Sequence, residues 1–199
     1  MDNTCWVLQM NDSFPRIYNR LMQIKETDIE GLFILEPRVF KDARGYFFES
    51  FHKQKLEDFG IHYNFIQDNQ SRSSFGVVRG LHYQKEPWAQ TKLIRVIEGV
   101  IFDVALDIRT GSPTYGRWYG LELSAENCLQ LLVPAGFAHG FSVLSDHATV
   151  NYKCDAYYHP ASESGIHHAD PDLNIDWKLD LDHAVISEKD RILPHLEDI

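Results

Sequence analysis

The run from Lys92 to Arg109 constrains the fold more than any other part of the chain. Within it Val100, Phe102, Val104, Leu106 and Ile108 fall on one side, and Ile101, Asp103, Ala105, Asp107 and Arg109 on the other. A period of two with a mostly polar second face specifies a half-buried strand, because successive strand side chains point to opposite faces. Gly111-Ser112-Pro113 closes it, and further strands are expected at 117–123, 129–133, 139–144 and 148–155. Upstream, Leu32, Ile34 and Val39-Phe40 alternate, interrupted by Pro37. The turn from Lys41 to Gly45 then leads into Tyr46–Phe51, which reads as a hairpin. Residues 52–59 suit a short helix and 64–69 a strand ending in polar groups. Many short strands at turn-punctuated spacing indicate an all-β sandwich or barrel. After Pro160 the chain is loop-rich, and residues 187–196 make a polar C-terminal tail with room for one helical turn.

Residues 1–22 show no clear period and read as an N-terminal arm, which leaves 23–199 as a single domain. A net charge of −10 argues against wholesale nucleic-acid binding, which requires a basic stripe. It leaves room for a small anionic substrate, since a few local Arg and Lys residues outweigh a distant, salt-screened field. Cys5, Cys128 and Cys154 are odd in number and far apart, with no CxxC pair. They fit neither a disulfide framework nor a zinc site and point to a reducing compartment. No run reaches the roughly 18 apolar residues of a membrane span, and the first residues lack a secretion signal. The cytoplasm is the expected location.

Two short motifs carry chemistry. Arg79-Gly80-Leu81-His82-Tyr83-Gln84 joins a guanidinium suited to an oxyanion with an imidazole that exchanges protons near neutral pH. Strict alternation would put Arg79 and His82 on opposite faces, so a bulge or twist is expected at Gly80. Pro134-Ala135-Gly136-Phe137-Ala138-His139 resembles the second motif of the cupin superfamily, whose fold is a jelly-roll barrel. Metal-binding cupins carry H-x-H at the first motif, where this chain reads His82-Tyr83-Gln84. Two histidines fall short of the usual three protein ligands, which favours a barrel without metal. Gln84 and Glu86 leave a harder, oxygen-liganded metal open. His52, His62, His147, His183 and His195 read as ordinary half-buried polar residues, and Tyr152 as either a core or a site tyrosine.

A longer set of motifs resembles the dTDP-4-dehydrorhamnose 3,5-epimerase family. It runs through Glu36-Pro37-Arg38-Val39-Phe40, Asp42 to Ser50, Gln67-Asp68-Asn69, Arg79 to Gln84, Ala89 to Arg95 and Phe102 to Ala105. It continues through Leu123 to Asn127, Pro134 to Phe141, Tyr152-Lys153, Tyr157-Tyr158 and Ser187-Glu188-Lys189-Asp190, covering about residues 24 to 194. The resemblance implies a cupin-like jelly roll acting without metal or redox cofactor. It implies His82 as the base, Asp190 as its partner, Tyr152 as the acid and Lys92 as the oxyanion stabiliser. Contacts to nucleotide and sugar would come from Arg44, Glu49, Gln67, Asp68, Asn69, Arg79, His139, Glu163 and Lys189, with Tyr158 stacked on thymine. It also implies a homodimer that exchanges N-terminal strands, so that Arg44 and Glu49 serve the neighbouring site. Thr91, where a Gly or Ala is usual, and His168, where a tryptophan is common, depart from the pattern.

The chemistry so implied is coherent. In dTDP-4-dehydro-6-deoxyglucose, C3 and C5 flank the ketone, so their protons are the acidic ones. A fixed ammonium would stabilise the enolate, and epimerisation then requires the proton to return from the opposite face. A 3-epimerase or keto-isomerase acting on a related deoxysugar, a non-catalytic nucleotide-sugar-binding cupin, and a metal cupin oxygenase remain as alternatives.

Overall fold

The computed structural model describes residues 22–199, so all of the proposed arm except Met22 lies outside the described residues. Thirteen strands follow in order: β1 (Met22–Glu26), β2 (Phe33–Pro37), β3 (Phe40–Asp42), β4 (Gly45–Phe47), β5 (Gln67–Ser74), β6 (Val78–Gln84), β7 (Lys92–Glu98), β8 (Val100–Asp107), β9 (Trp118–Ser124), β10 (Gln130–Val133), β11 (Phe137–Val143), β12 (His147–Cys154) and β13 (Glu163–Gly165). Two short α-helices, α1 (Lys53–Asp58) and α2 (Glu188–Arg191), complete the regular structure with a few 3₁₀ turns. One sheet has the order β1-β2-β10-β7-β12-β5 and the other β13-β6-β11-β8-β9, while β3 and β4 stand apart as a hairpin. The fold is the all-β, cupin-like jelly roll expected from the sequence.

The sheets enclose a core of Ile94, Val96 and Val150 from the six-stranded sheet and Ile101, Ala105, Phe137 and Phe141 from the five-stranded one. A second cluster lies on the other face of the five-stranded sheet, where Val78, Leu81, Phe102, Val104 and Leu106 meet Ile166, Leu173, Ile175 and Trp177. This arrangement corrects the half-buried reading of 100–109. The segment after β13 covers one face of β8 and the opposing sheet covers the other, so Asp103 and Asp107 have no exposed surface. Periodicity reports the alternation of residue type but not which distant segment covers a face. Asp107 is satisfied locally, accepting from Arg109 Nε at 2.9 Å, Ser112 Oγ at 2.6 Å and Thr114 Oγ1 at 2.6 Å.

The same stretch is also two strands rather than one, parted at Gly99 into members of different sheets. Gly99 has φ +82°, and a Cβ there would lie 2.1 Å from the His147 carbonyl oxygen, so the crossing needs a glycine. The hairpin after Lys41 forms, but its second strand ends at Phe47, and the strand expected from 64 begins at Gln67.

At Gly80 the expected irregularity is present. His139 pairs with His82 and Phe141 with Arg79, so β6 takes three steps where β11 takes two. Gly80 has φ +116°, and a Cβ there would lie 2.6 Å from Gly140 Cα. The extra residue puts Arg79 and His82 on the side that faces the opposite sheet, while Val78 and Leu81 face the second cluster.

Candidate active site

The bulge and the jelly-roll pairing together build a cavity of about 340 Å³ at one end of the space between the sheets. Gln67 and Asn69 of β5, Lys92 of β7 and Tyr152 of β12 line one wall, and His82, Tyr83 and Gln84 of β6 line the other. Gln90, Tyr158 and Glu163 close the rim.

His82 is oriented from behind. Its Nε2 lies 2.7 Å from Asp190 Oδ1, and the second carboxylate oxygen accepts from the Gly80 N–H at 3.2 Å. Asp190 reaches this place because Ser187 caps α2, accepting from the Asp190 N–H at 3.1 Å. Burial of the Asp190 carboxyl opposes its ionisation, but the bond and charge of His82 and the Gly80 N–H prevail and hold it below the usual carboxylate range. An ionised Asp190 fixes the proton on Nε2 of the ring, which leaves Nδ1 as the nitrogen available to a substrate.

Across the cavity, Tyr152 packs at the margin of the core, and burial pushes its phenol above the usual tyrosine value. It is therefore protonated at neutral pH. Alternation places it beside Val150 and Cys154, so it is at once a core-packing and a cavity residue. Burial pulls the Lys92 ammonium below the usual lysine range, with Cys154, Asp103 and Glu163 opposing that shift. Its Nζ lies 3.5 Å from the His82 carbonyl oxygen, which ties it across to the wall that carries His82.

The rim is polar and cross-linked. Tyr158 donates its hydroxyl to Glu163 Oε2 at 2.7 Å, and Lys189 Nζ lies 2.5 Å from Glu163 Oε1. Gln67 accepts from the Tyr158 N–H at 2.9 Å and donates to Asn69 Oδ1 at 3.0 Å. Arg79 Nε donates to Ser73 Oγ at 2.9 Å. His139 is buried on the strand beside His82, with Nε2 at 2.8 Å from Asp103 Oδ1. Of the residues singled out in the sequence, Asp190, Arg79, His139 and Lys189 do not line this cavity, although Asp190 bonds His82 and Lys189 pairs with Glu163, both of which do, and three more are paired elsewhere. Arg44 is exposed on the β3–β4 hairpin and pairs with Asp42, Glu49 pairs with the buried Lys55, and Asp68 pairs with Lys153.

Sequence reasoning passed over Asp103 as the partner of His139, reading it as part of a solvent-facing polar side. It also gave no role to Gln90, and considered Gln84 only as a possible metal ligand. Among the described residues no group of three His, Cys, Asp or Glu side chains could hold a metal ion. Thr91 is buried with its hydroxyl accepting from the Ala135 N–H at 3.3 Å, so the extra polar group has a partner. His168 is buried, and its Nδ1 has no hydrogen-bond partner among the described residues.

A jelly roll whose cavity sets a histidine–aspartate pair opposite a tyrosine and a lysine has the groups that an enzyme doing acid–base chemistry on a carbon acid requires. The model of the family described as dTDP-4-dehydrorhamnose 3,5-epimerase matches residues 26–198. The enzyme of that description from Methanothermobacter thermautotrophicus is 52% identical over 167 residues, covering 83% of this chain and 90% of its own. That from Escherichia coli K12 is 49% identical over 179 residues, covering 89% and 96%. Among solved structures, a dTDP-6-deoxy-D-glucose-3,5-epimerase from Legionella pneumophila in complex with dTDP-4-keto-L-rhamnose superposes with a TM-score of 0.86 at 51% identity, covering 89% of this chain and 94% of that one. The chain belongs to the dTDP-4-dehydrorhamnose 3,5-epimerase family. It is an isomerase that converts dTDP-4-dehydro-6-deoxyglucose to dTDP-4-dehydrorhamnose.

Proposed function

We propose that the two walls of the cavity divide the proton transfers between them. His82 Nδ1 removes the proton from C3 or C5, and Asp190 stabilises the imidazolium that forms. Lys92 carries the charge that develops on the ketone oxygen. Because its ammonium is fixed and poorly solvated, it stabilises the enolate more strongly than it would in water. Tyr152 returns a proton from the other face, which inverts the centre. The observation that carries this reading is the placement of His82 and Tyr152 on facing walls of a single cavity. Positioned acid–base groups contribute on the order of 10²–10⁴-fold each.

In the same reading Gln67, Asn69, Arg79, His139, Glu163 and Lys189 hold the nucleotide and sugar, and Tyr158 stacks on the base. Half of the Tyr158 side chain is exposed at the rim, which suits such a platform. Incubation of dTDP-4-dehydro-6-deoxyglucose with the protein in D₂O, followed by NMR, should show deuterium entering at both C3 and C5. Exchange at C3 alone would restrict the enzyme to one centre, and exchange at neither would refute the assignment.

The working unit is proposed to be a homodimer in which Arg44 and Glu49 complete the partner's site after exchange of N-terminal strands. Supporting this, the β3–β4 hairpin exposes Phe40, Tyr46 and Phe47 next to Arg44 and outside its own cavity. Mixing inactive Arg44→Ala with inactive His82→Asn should restore part of the activity if sites are shared, and none if each chain is self-sufficient. The 23–199 domain is taken to be the catalytic unit, with residues 1–22 as an arm. A cytoplasmic location is proposed from the free, buried Cys128 and Cys154. No helix among the described residues is long and apolar enough to cross a membrane.

A further inference from the structure

Two loops form the rim beside Tyr158, residues 85–91 between β6 and β7 and residues 155–159 after β12. One buried side chain joins them. Gln84, at the end of β6, donates from Nε2 to the Trp88 carbonyl at 2.6 Å and to the Tyr157 carbonyl at 3.3 Å. Its Oε1 accepts from the His159 N–H at 2.6 Å. Both amide donors and one acceptor position are thus committed to main chain, and only one lone pair remains. The amide has no donor left to offer a substrate, although the side chain lines the cavity.

The junction is reinforced around this point. The Trp88 ring stacks on His159 at 4.6 Å with an interplanar angle of 4°, and His159 Nδ1 lies 3.0 Å from Ser162 Oγ. Gln90 Nε2 donates to the Ala156 carbonyl at 2.8 Å, and the Thr91 N–H donates to Asp155 Oδ1 at 2.6 Å. Tyr158 lies between two residues whose backbone Gln84 holds, so the direction of its ring depends on that amide. Without it, the Trp88 and Tyr157 carbonyls and the His159 N–H lose their partner together, and a loop with unpaired polar groups rearranges toward water.

We propose that Gln84 is a positioning residue for nucleotide recognition, clamping the two rim loops so that Tyr158 is preset for the base. This rests on the reading above of Tyr158 as the base platform. It goes beyond that reading in assigning the preorganisation to a residue that makes no bond to the ligand itself. Preorganisation of this kind acts on affinity, because the ordering cost is met before the ligand arrives.

The test uses full-length Gln84→Met, which keeps the unbranched length and removes the amide. Affinity for dTDP is measured by calorimetry, and turnover by deuterium incorporation at C3 and C5. The expected result is a rise of about tenfold in the dTDP Kd and in KM, with kcat at saturation changing far less. Trp88 offers a third readout, since release of its stack on His159 should change its emission in Gln84→Met relative to the wild type, each taken as the difference from the same protein with Trp88→Phe. Unchanged Kd and KM in the variant would overturn the proposal, as would a fall in kcat at constant KM. If Gln84→Met does not fold, Gln90→Met, which loses a single bond on the same loop, must shift Kd in the same direction, and an unchanged Kd there refutes the clamp. Failure of the underlying reading has a separate signature: Tyr158→Ala would then bind dTDP as tightly as the wild type.

Discussion

Substituting Asp190 by Asn tests the dyad with almost no change of shape. The carboxylate accepts two bonds, a part-buried one from His82 Nε2 and a buried one from the Gly80 N–H. An amide cannot reproduce them. The Gly80 N–H requires an acceptor, so the amide turns its oxygen there and presents its NH₂ to His82. Nε2 must then accept, and the ring proton moves to Nδ1, the nitrogen the proposed proton abstraction needs free. The lost charge assistance alone is worth about 1–2 kcal/mol, the difference between a charged and a neutral hydrogen bond. That corresponds to roughly fivefold to thirtyfold in rate, and the wrong tautomer brings the expected total to about 10²–10³-fold. Deuterium incorporation at C3 and C5 measures the rate, and calorimetry with dTDP should give an unchanged Kd. A loss below about threefold would show that Asp190 neither charges nor orients the base, since even the charge effect alone exceeds that. Stability supplies a second readout. The folded carboxyl sits below its ordinary value of 3.8, so its contribution is fully present above that value and disappears as pH falls through the folded one. The stability difference between wild type and Asp190→Asn should therefore be flat at neutral pH and should shrink below pH 3.8.

Three further outcomes follow from the same geometry. Tyr152→Phe keeps the packing of the ring but removes its proton, so product formation should fall by about 10²-fold or more, while washout at the carbon facing His82 persists; equal loss of both would assign Tyr152 to the first step. Gly80→Ala places a Cβ 2.6 Å from the Gly140 backbone at a φ of +116°, and it should destabilise the fold by at least about 2 kcal/mol, read from urea midpoints. Asp107→Ala leaves the partly buried Arg109 and two hydroxyls without their common acceptor, so a loss of about 3 kcal/mol is expected in the same assay, with dTDP binding unaffected.

The strands were legible because their signals are local. Alternation at 100–108, glycines at the turns and the P-x-G-x-x-H corner each act within a few residues, and β8 to β12 lie close to where they were expected. The wall that carries His82 was partly legible for the same reason, since the conflict between Arg79 and His82 could be seen in the spacing and was resolved by the extra residue at Gly80. What the sequence hid is what long-range contact decides. Asp103 looked like a solvated charge because nothing near it in the chain announces that Trp177 and Ile175 cover the other face of its strand, or that His139 arrives on β11 to pair with it. Gln84 looked like a possible ligand because its three main-chain partners belong to loops that meet only after β12 has crossed to the opposite sheet. A polar side chain within an apolar strand therefore has two readings that spacing does not separate, and the distinction comes from counting its bonds. Gln84 has both donors committed to main chain and so holds loops, whereas His82 has one nitrogen held by Asp190 and the other still free, which is the condition for moving a proton.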